Sequence, residues 1–189
     1  MLLHHAFRCL ALCVITFAGR AQSAPHQAAP GWTEVESAFP AMRKVTNDQL
    51  FADLGGGFLK LKGNAAFANT CGVRISRALL LNHLVIPARG YNTLMDGKGE
   101  HYIFRALELK AFLTRSVFGA PAVHHGDSGA IAGKRGIIVF AANFTDNKGR
   151  VISTGHIDLW DGSACVSQNC SSYFNYHGKA VPVYFWNLH

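Results

Sequence analysis

The sequence predicts an α+β fold in which helices come first and an antiparallel sheet follows. The first two thirds of the chain hold capped stretches with helical spacing of apolar residues. The last third instead holds β-branched runs separated by turn signals such as Asn147-Lys148-Gly149. The length suits a single domain, which we place at residues 31–189 behind a flexible, proline- and alanine-rich lead-in at residues 24–30.

The helices are predicted from N-cap residues, from the spacing of apolar residues and from the proline or glycine residues that end a helix. Pro40 ends a short first helix, and three glycines end a second one. Thr70 is a suitable N-cap for a third helix, which is apolar enough to be central and buried. A fourth helix is amphipathic, with Leu109, Phe112 and Leu113 on one face. These helices are expected at residues 32–39, 47–54, 71–81 and 106–113.

The strands are predicted from apolar, β-branched and aromatic runs. Residues 87–99 are loop-like, and Asp161-Gly162 marks a turn. The strands are expected at residues 102–104, 136–141, 151–160 and 181–186.

The first 23 residues are typical of a secretory signal peptide. A start with one arginine precedes the apolar residues 9–19, and small residues follow. That apolar run is well short of the roughly 20 residues that span a bilayer, so we expect no stable membrane insertion. The net charge of +7 suits an anionic partner, but the basic residues are scattered, which argues against nucleic acid.

The cysteines indicate a reactive thiol. Cys9 and Cys13 lie in the removable segment, and Cys165 and Cys170 are close enough to pair. Cys71 is then an odd thiol in a secreted protein, which favours a function for it. The alternative is that Cys71 pairs with one of the other two, which would abolish a nucleophile.

His156 is the best candidate for a base beside that thiol. It lies in a predicted strand after Gly155, whereas Cys71 opens a predicted helix, whose first turn favours a thiolate. A thiol and a distant histidine are the minimal signature of a cysteine hydrolase. The alternative for His156 is a core histidine that only satisfies a hydrogen bond.

A second histidine pair does not predict a site. His124 and His125 precede Gly126-Asp127-Ser128-Gly129, a tetrapeptide found around the nucleophile of trypsin-like proteases. The upstream histidine segment of those enzymes is missing, and a metal site would lack a clear third ligand. We therefore expect a surface loop there, and neither a metal nor a cofactor in the protein.

Several segments in order resemble the type VI secretion amidase effectors of family 4, from about residue 30 to the end. The resemblance implies a papain-like NlpC/P60-type fold, with a central helix that carries the cysteine at its N-terminus and packs on an antiparallel sheet. It also implies amidase activity on the γ-D-glutamyl–meso-diaminopimelate bond of peptidoglycan, with Cys71 as nucleophile and His156 as general base. The resemblance rests on residues 67–76, 102–105, 109–110, 133–140, 154–162, 165, 170, 173–174 and 183–186.

The third catalytic residue departs from that family. Its members have an acid between the two disulfide cysteines, where this chain has Val-Ser-Gln-Asn. Gln168 or Asn169 could orient an imidazole through an amide oxygen. Asp158 is the other candidate, because it lies two residues from His156 and hence on the same face of the strand.

The function expected from these residues is that of a secreted, antibacterial peptidoglycan amidase, with peptidoglycan and a protein inhibitor or immunity protein as partners. The missing acid motivates one alternative, a catalytically impaired wall-binding protein of the same fold. A cysteine hydrolase of another acyl substrate is the second alternative.

Overall fold

The computed structural model describes residues 27–42 and 44–189. The predicted signal peptide, with Cys9 and Cys13, lies outside these residues, as do residues 24–26 of the predicted lead-in. Within the described ranges, no helix has both the length and the apolar character needed to cross a membrane.

Four α-helices, four short 3₁₀ helices and ten strands occur in the described part of the chain, and an α+β fold is confirmed. The helices are α1 (Trp32–Ala38), α2 (Asn47–Leu54), α3 (Cys71–Leu81) and α4 (Ala106–Ser116). The strands are β1 (Thr93–Met95), β2 (His101–Ile103), β3 (Ala122–His125), β4 (Gly136–Phe140), β5 (Phe144–Thr145), β6 (Val151–Ser153), β7 (His156–Trp160), β8 (Asn175–Tyr176), β9 (Lys179–Ala180) and β10 (Pro182–Asn187).

The predicted helices are all present, although only α2 among them has a side-chain cap. Thr46 and Gln49 form a reciprocal capping box at the start of α2. The apolar face predicted for α4 is fully buried. The side-chain cap predicted for Thr70 is wrong, since its hydroxyl bonds to Asn47 and Arg74 and not to a helix N–H.

The main sheet is antiparallel and has the strand order β3-β10-β4-β7. The predicted strand at residues 151–160 is in fact two. Its first part, β6, pairs with β5 in a hairpin of its own, whereas β7 pairs with β4. The chain changes direction near Gly155, where a Cβ would lie 3.0 Å from the Phe140 carbonyl oxygen. Val151 and Ile152 are therefore exposed on the hairpin, although their apolar character suggested a buried strand.

Two loop predictions also need correction. Residues 93–95 form β1, which pairs with β2, within a segment expected to be a loop. His124 and His125 lie in β3, an edge strand of the main sheet, and not in a surface loop. Most of the residues of β3 are exposed, so the strand lacks the apolar alternation that would have predicted it.

Helix α3 lies at the centre of the fold and packs against α1, α4, β2 and β7. Its burial is nearly complete over the first two turns. The expected disulfide joins Cys165 to Cys170 in the segment that follows β7. The packing of α3 on β7 holds Cys71, the first residue of α3, next to His156, the first residue of β7.

Candidate active site

The thiol of Cys71 lies at the inner end of a cavity of about 240 Å³. Cys71 is the first residue of α3, only 7% exposed, and the one free cysteine of the residues described. The alternative in which Cys71 forms a disulfide with Cys165 or Cys170 is thus excluded. The cavity is also lined by His156, Ser167, Gln168 and Tyr173.

Gly72 sets how closely the start of α3 approaches the chain after β2. A Cβ at this position would lie 2.2 Å from the carbonyl oxygen of Phe104, and 2.7 Å from that of Ile103. Only glycine permits this contact without displacement of the backbone. The contact therefore fixes the depth of the neighbouring Cys71.

His156 opens β7 and is 5% exposed. Its ring packs against the rings of Phe140 and Tyr173, at centroid distances of 6.3 and 5.2 Å. Burial by itself would lower the pKa of His156, but interactions with Asp158 and Cys71 outweigh it and raise the pKa to about 9. The imidazole is therefore protonated at neutral pH, which suits an ion pair with a thiolate.

Asp158 lies on the same face of β7, behind the imidazole, and is fully buried. Its Oδ2 atom is 3.5 Å from His156 Nε2, within ion-pair distance but without the alignment of a hydrogen bond. The backbone N–H of Leu159 donates to Oδ1 at 2.8 Å, and that of Ser167 donates to Oδ1 at 3.1 Å. These donors fix the position of the carboxylate.

The two amide candidates for the third position are placed differently. Gln168 lines the cavity, but its Nε2 donates to the hydroxyl of Tyr173 at 3.0 Å. Asn169 faces a separate cavity, and its Oδ1 accepts a bond from the N–H of Ser171. The structure therefore brings Asp158 to His156 and leaves Asn169 away from it.

Arg74 was not singled out from the sequence, although a charged residue within the apolar run of α3 is the signal that marks it. The side chain is fully buried. It donates to the Thr70 hydroxyl at 2.9 Å, to the Asn47 carboxamide oxygen at 2.8 Å and to the carbonyl oxygen of Pro40. Burial lowers the pKa of Arg74 to about 10, against the opposing attraction of Asp158 and Cys71.

The remaining sequence motif lies elsewhere. The loop that contains Asp127 and Ser128 lines the cavity of Asn169, which measures about 280 Å³. No group of three or more metal-ligating side chains occurs within the two described ranges. The cavity of Asn169 is larger than the one that Cys71 lines, but neither the thiol of Cys71 nor the imidazole of His156 lines it.

Comparisons with known proteins agree with this geometry. Residues 67–186 match the family model described as "Type VI secretion system (T6SS), amidase effector protein 4". Curated protein sequences include no significant match. The chain is similar to the structure of the type VI effector Tae4 from Enterobacter cloacae, with 27% identity over 88% of this chain and 100% of that one, at a TM-score of 0.70.

Two complexes give similar values. The effector in the Tae4–Tai4 effector–immunity complex from Enterobacter cloacae is 26% identical over 85% of this chain and 99% of that one, at a TM-score of 0.69. The effector in the Tae4–Tai4 complex from Salmonella Typhimurium is 26% identical over the same shares, at a TM-score of 0.67. The family model covers well over half of the chain, and the similar structures share its fold over nearly their whole length. The chain therefore belongs to family 4 of the type VI secretion amidase effectors, which are antibacterial peptidoglycan amidases.

Proposed function

We propose that the protein hydrolyses the γ-D-glutamyl–meso-diaminopimelate bond of peptidoglycan stem peptides, with Cys71 as nucleophile and His156 as general base and acid. One observation carries this proposal: the thiol that opens α3 and the imidazole that opens β7 line the same cavity. Membership of an amidase family favours hydrolysis over wall binding alone, and over another acyl substrate.

The chemistry begins from a thiolate and a protonated imidazole. Cys71 Sγ attacks the γ-carbonyl carbon of D-glutamate, and His156 donates its proton to the departing amine of diaminopimelate. A thioester remains on Cys71, and water activated by His156 then hydrolyses it. The first N–H groups of α3 are placed to stabilise the oxyanion of each tetrahedral intermediate.

The backbone N–H of Cys71 is one of these donors. It lies 3.4 Å from Asn69 Oδ1, which is a long and weak hydrogen bond. A substrate carbonyl oxygen would replace this weak acceptor at little cost.

Asp158 is proposed as the residue that orients His156. Nε2 of the imidazole faces its carboxylate, which leaves Nδ1 to exchange the proton with Cys71 and the substrate. Ser167, between the disulfide cysteines, takes part through its backbone N–H and not through its side chain. The acid that the family places in this loop is thus replaced by one on the strand of the base.

We also infer an immunity protein as partner, because similar effectors were solved in complex with Tai4. Met42 and Ile152 flank the cavity and are 38% and 65% exposed, which gives the cavity an apolar rim that such a partner would cover.

Residues 1–23 are proposed to direct export, residues 24–30 to form a lead-in and residues 31–189 to form the amidase domain. The site of action is then the periplasm of the target cell, which holds the peptidoglycan.

Mass spectrometry of diaminopimelate-type sacculi tests the proposal. Sacculi are incubated with the purified protein or with its Cys71→Ala variant. We expect stem peptides cut between D-glutamate and diaminopimelate with the unmodified protein alone. Binding of both proteins without any cleavage would instead identify a wall-binding protein, and cleavage at another bond would correct the substrate assignment.

A further inference from the structure

The proposed mechanism leaves several charged side chains of the described residues unused, and that of Arg74 is the most deeply buried of them. Its side chain is fully buried, which is costly for a guanidinium unless its donors are satisfied. The three acceptors are the hydroxyl of Thr70, the carboxamide oxygen of Asn47 and the carbonyl oxygen of Pro40, and all are neutral. The hydrogen bonds are thus satisfied, but the positive charge has no direct counter-ion.

The described residues include no carboxylate within 4.0 Å of this guanidinium. The groups that interact with its charge are Asp158 and Cys71, in both cases attractively. Because the interior screens charge weakly, a fixed cation there acts over several ångströms. The charge of Arg74 therefore acts on the residue that opens α3 and on the buried acid of β7.

The position of Arg74 also ties the nucleophile to the rest of the chain. It lies three residues after Cys71, on the same face of α3. Asn47 Oδ1 accepts from both Arg74 and Thr70, and Asn47 Nδ2 donates to the carbonyl oxygen of Ala68 at 2.8 Å. This network holds the chain that enters α3 immediately before Cys71.

We propose that Arg74 is a positioning residue for the nucleophile: its fixed, buried positive charge attracts Cys71 and Asp158, and its hydrogen bonds to Thr70 and Asn47 hold the chain that enters α3. The proposal rests on the assignment of Cys71 as nucleophile. The other groups that face Cys71 are His156 and Asp158 on β7 and Tyr173 after the disulfide loop. These three stay unchanged in the test.

The test is the pH dependence of Cys71 alkylation by iodoacetamide, in the full-length chain carrying Cys9→Ser and Cys13→Ser. In Arg74→Met we expect the midpoint of alkylation to rise by about one pH unit or more. In Arg74→Lys, which keeps the charge but loses the planar fork, the midpoint should stay near that of the unmodified protein while kcat falls. Arg77→Met on the same helix is the matched control, since Arg77 is only partly buried and lies 4.0 Å from Asp53.

An Arg74→Met midpoint equal to that of the Arg77→Met control would overturn the proposal. If Arg74→Met does not fold, Arg74→Lys decides alone: an unchanged midpoint with lower kcat supports a charge that positions the nucleophile, and a raised midpoint contradicts it. Failure of the proposed function is seen separately in the chain with Arg74 intact, which then either releases no muropeptides or releases them equally as Cys71→Ala.

Discussion

His156 Nε2 and Asp158 Oδ2 lie 3.5 Å apart on one strand, and yet no hydrogen bond joins them. Nε2 is the one buried side-chain polar atom of the described residues that lacks a hydrogen-bond partner. Burial of such an atom without a hydrogen bond costs free energy, so a small rotation of the imidazole that gives Nε2 a partner is strongly favoured. Catalytic hydrogen bonds are often long without substrate and tighten when it binds. The strand thus holds His156 and Asp158 close together, and a small rotation of the ring would align the proposed base with the acid proposed to orient it.

The Asp158→Asn variant tests this pair. Asparagine retains an oxygen to accept from Leu159 and Ser167, so we expect a folded protein. Amidase activity should fall by about 10²- to 10⁴-fold, as when the orienting carboxylate of a catalytic triad is neutralised. The measurement is the initial rate of muropeptide release. Asn169→Ala is the control and should keep full activity, because Asn169 faces another cavity. If Asn169→Ala lost more activity than Asp158→Asn, Asp158 would be rejected as the residue that orients His156.

The raised pKa of His156 predicts how stability depends on pH. The folded-state value is about 9 and the ordinary value 6.5, so folding is favoured by the extra protonation. This contribution is complete below pH 6.5 and is lost as pH rises through 9. It amounts to at most about 3 kcal/mol. Urea unfolding across this pH range should show the loss in the unmodified protein, and a His156→Gln variant with the same slope would contradict the assignment.

Gly72→Ala tests the close approach of α3 to the chain after β2. The added methyl group would meet the carbonyl oxygen of Phe104. Displacing that backbone should lower the free energy of unfolding by about 1–3 kcal/mol, despite the better helix propensity of alanine. Activity should fall as well, because Cys71 moves with its neighbour. The control is Arg77→Ala on the same helix, which should change stability by about 0.5 kcal/mol or less.

Removal of the disulfide should affect activity more than stability. The double variant Cys165→Ala with Cys170→Ala loses the closure of a short loop, worth roughly 2 kcal/mol. The loop carries the Ser167 N–H that holds Asp158, so muropeptide release should fall even well below the melting temperature. Ser167→Ala keeps this N–H and should remain active. Full activity of the double variant under non-denaturing conditions would show that the loop does not support Asp158.

The sequence predicted the elements whose signals are local. The cap, spacing and glycine that bound α2, and the β-branched run of β4, act within a few residues of chain, so both elements appear where expected. The break between β6 and β7 was missed, because apolar residues continue through it and the turn depends on packing near Gly155.

The site was predictable to a similar extent. The odd cysteine and the strand histidine were expected as neighbours, and they line one cavity, although their catalytic roles stay predictions. The choice between Asp158 and Asn169 depends on which way the disulfide loop turns, and no local pattern encodes this. Arg74 escaped notice because two of its three acceptors come from residues far away in the chain.

The placement of His156 and Asp158 two residues apart on β7 has a consequence for motion. When an orienting acid sits on a loop, each excursion of that loop separates it from the base. Here both groups belong to one hydrogen-bonded ladder with β4, so they move as a single body even when the neighbouring loop moves. Amide hydrogen exchange should therefore be slower along this ladder than at residues 168–169.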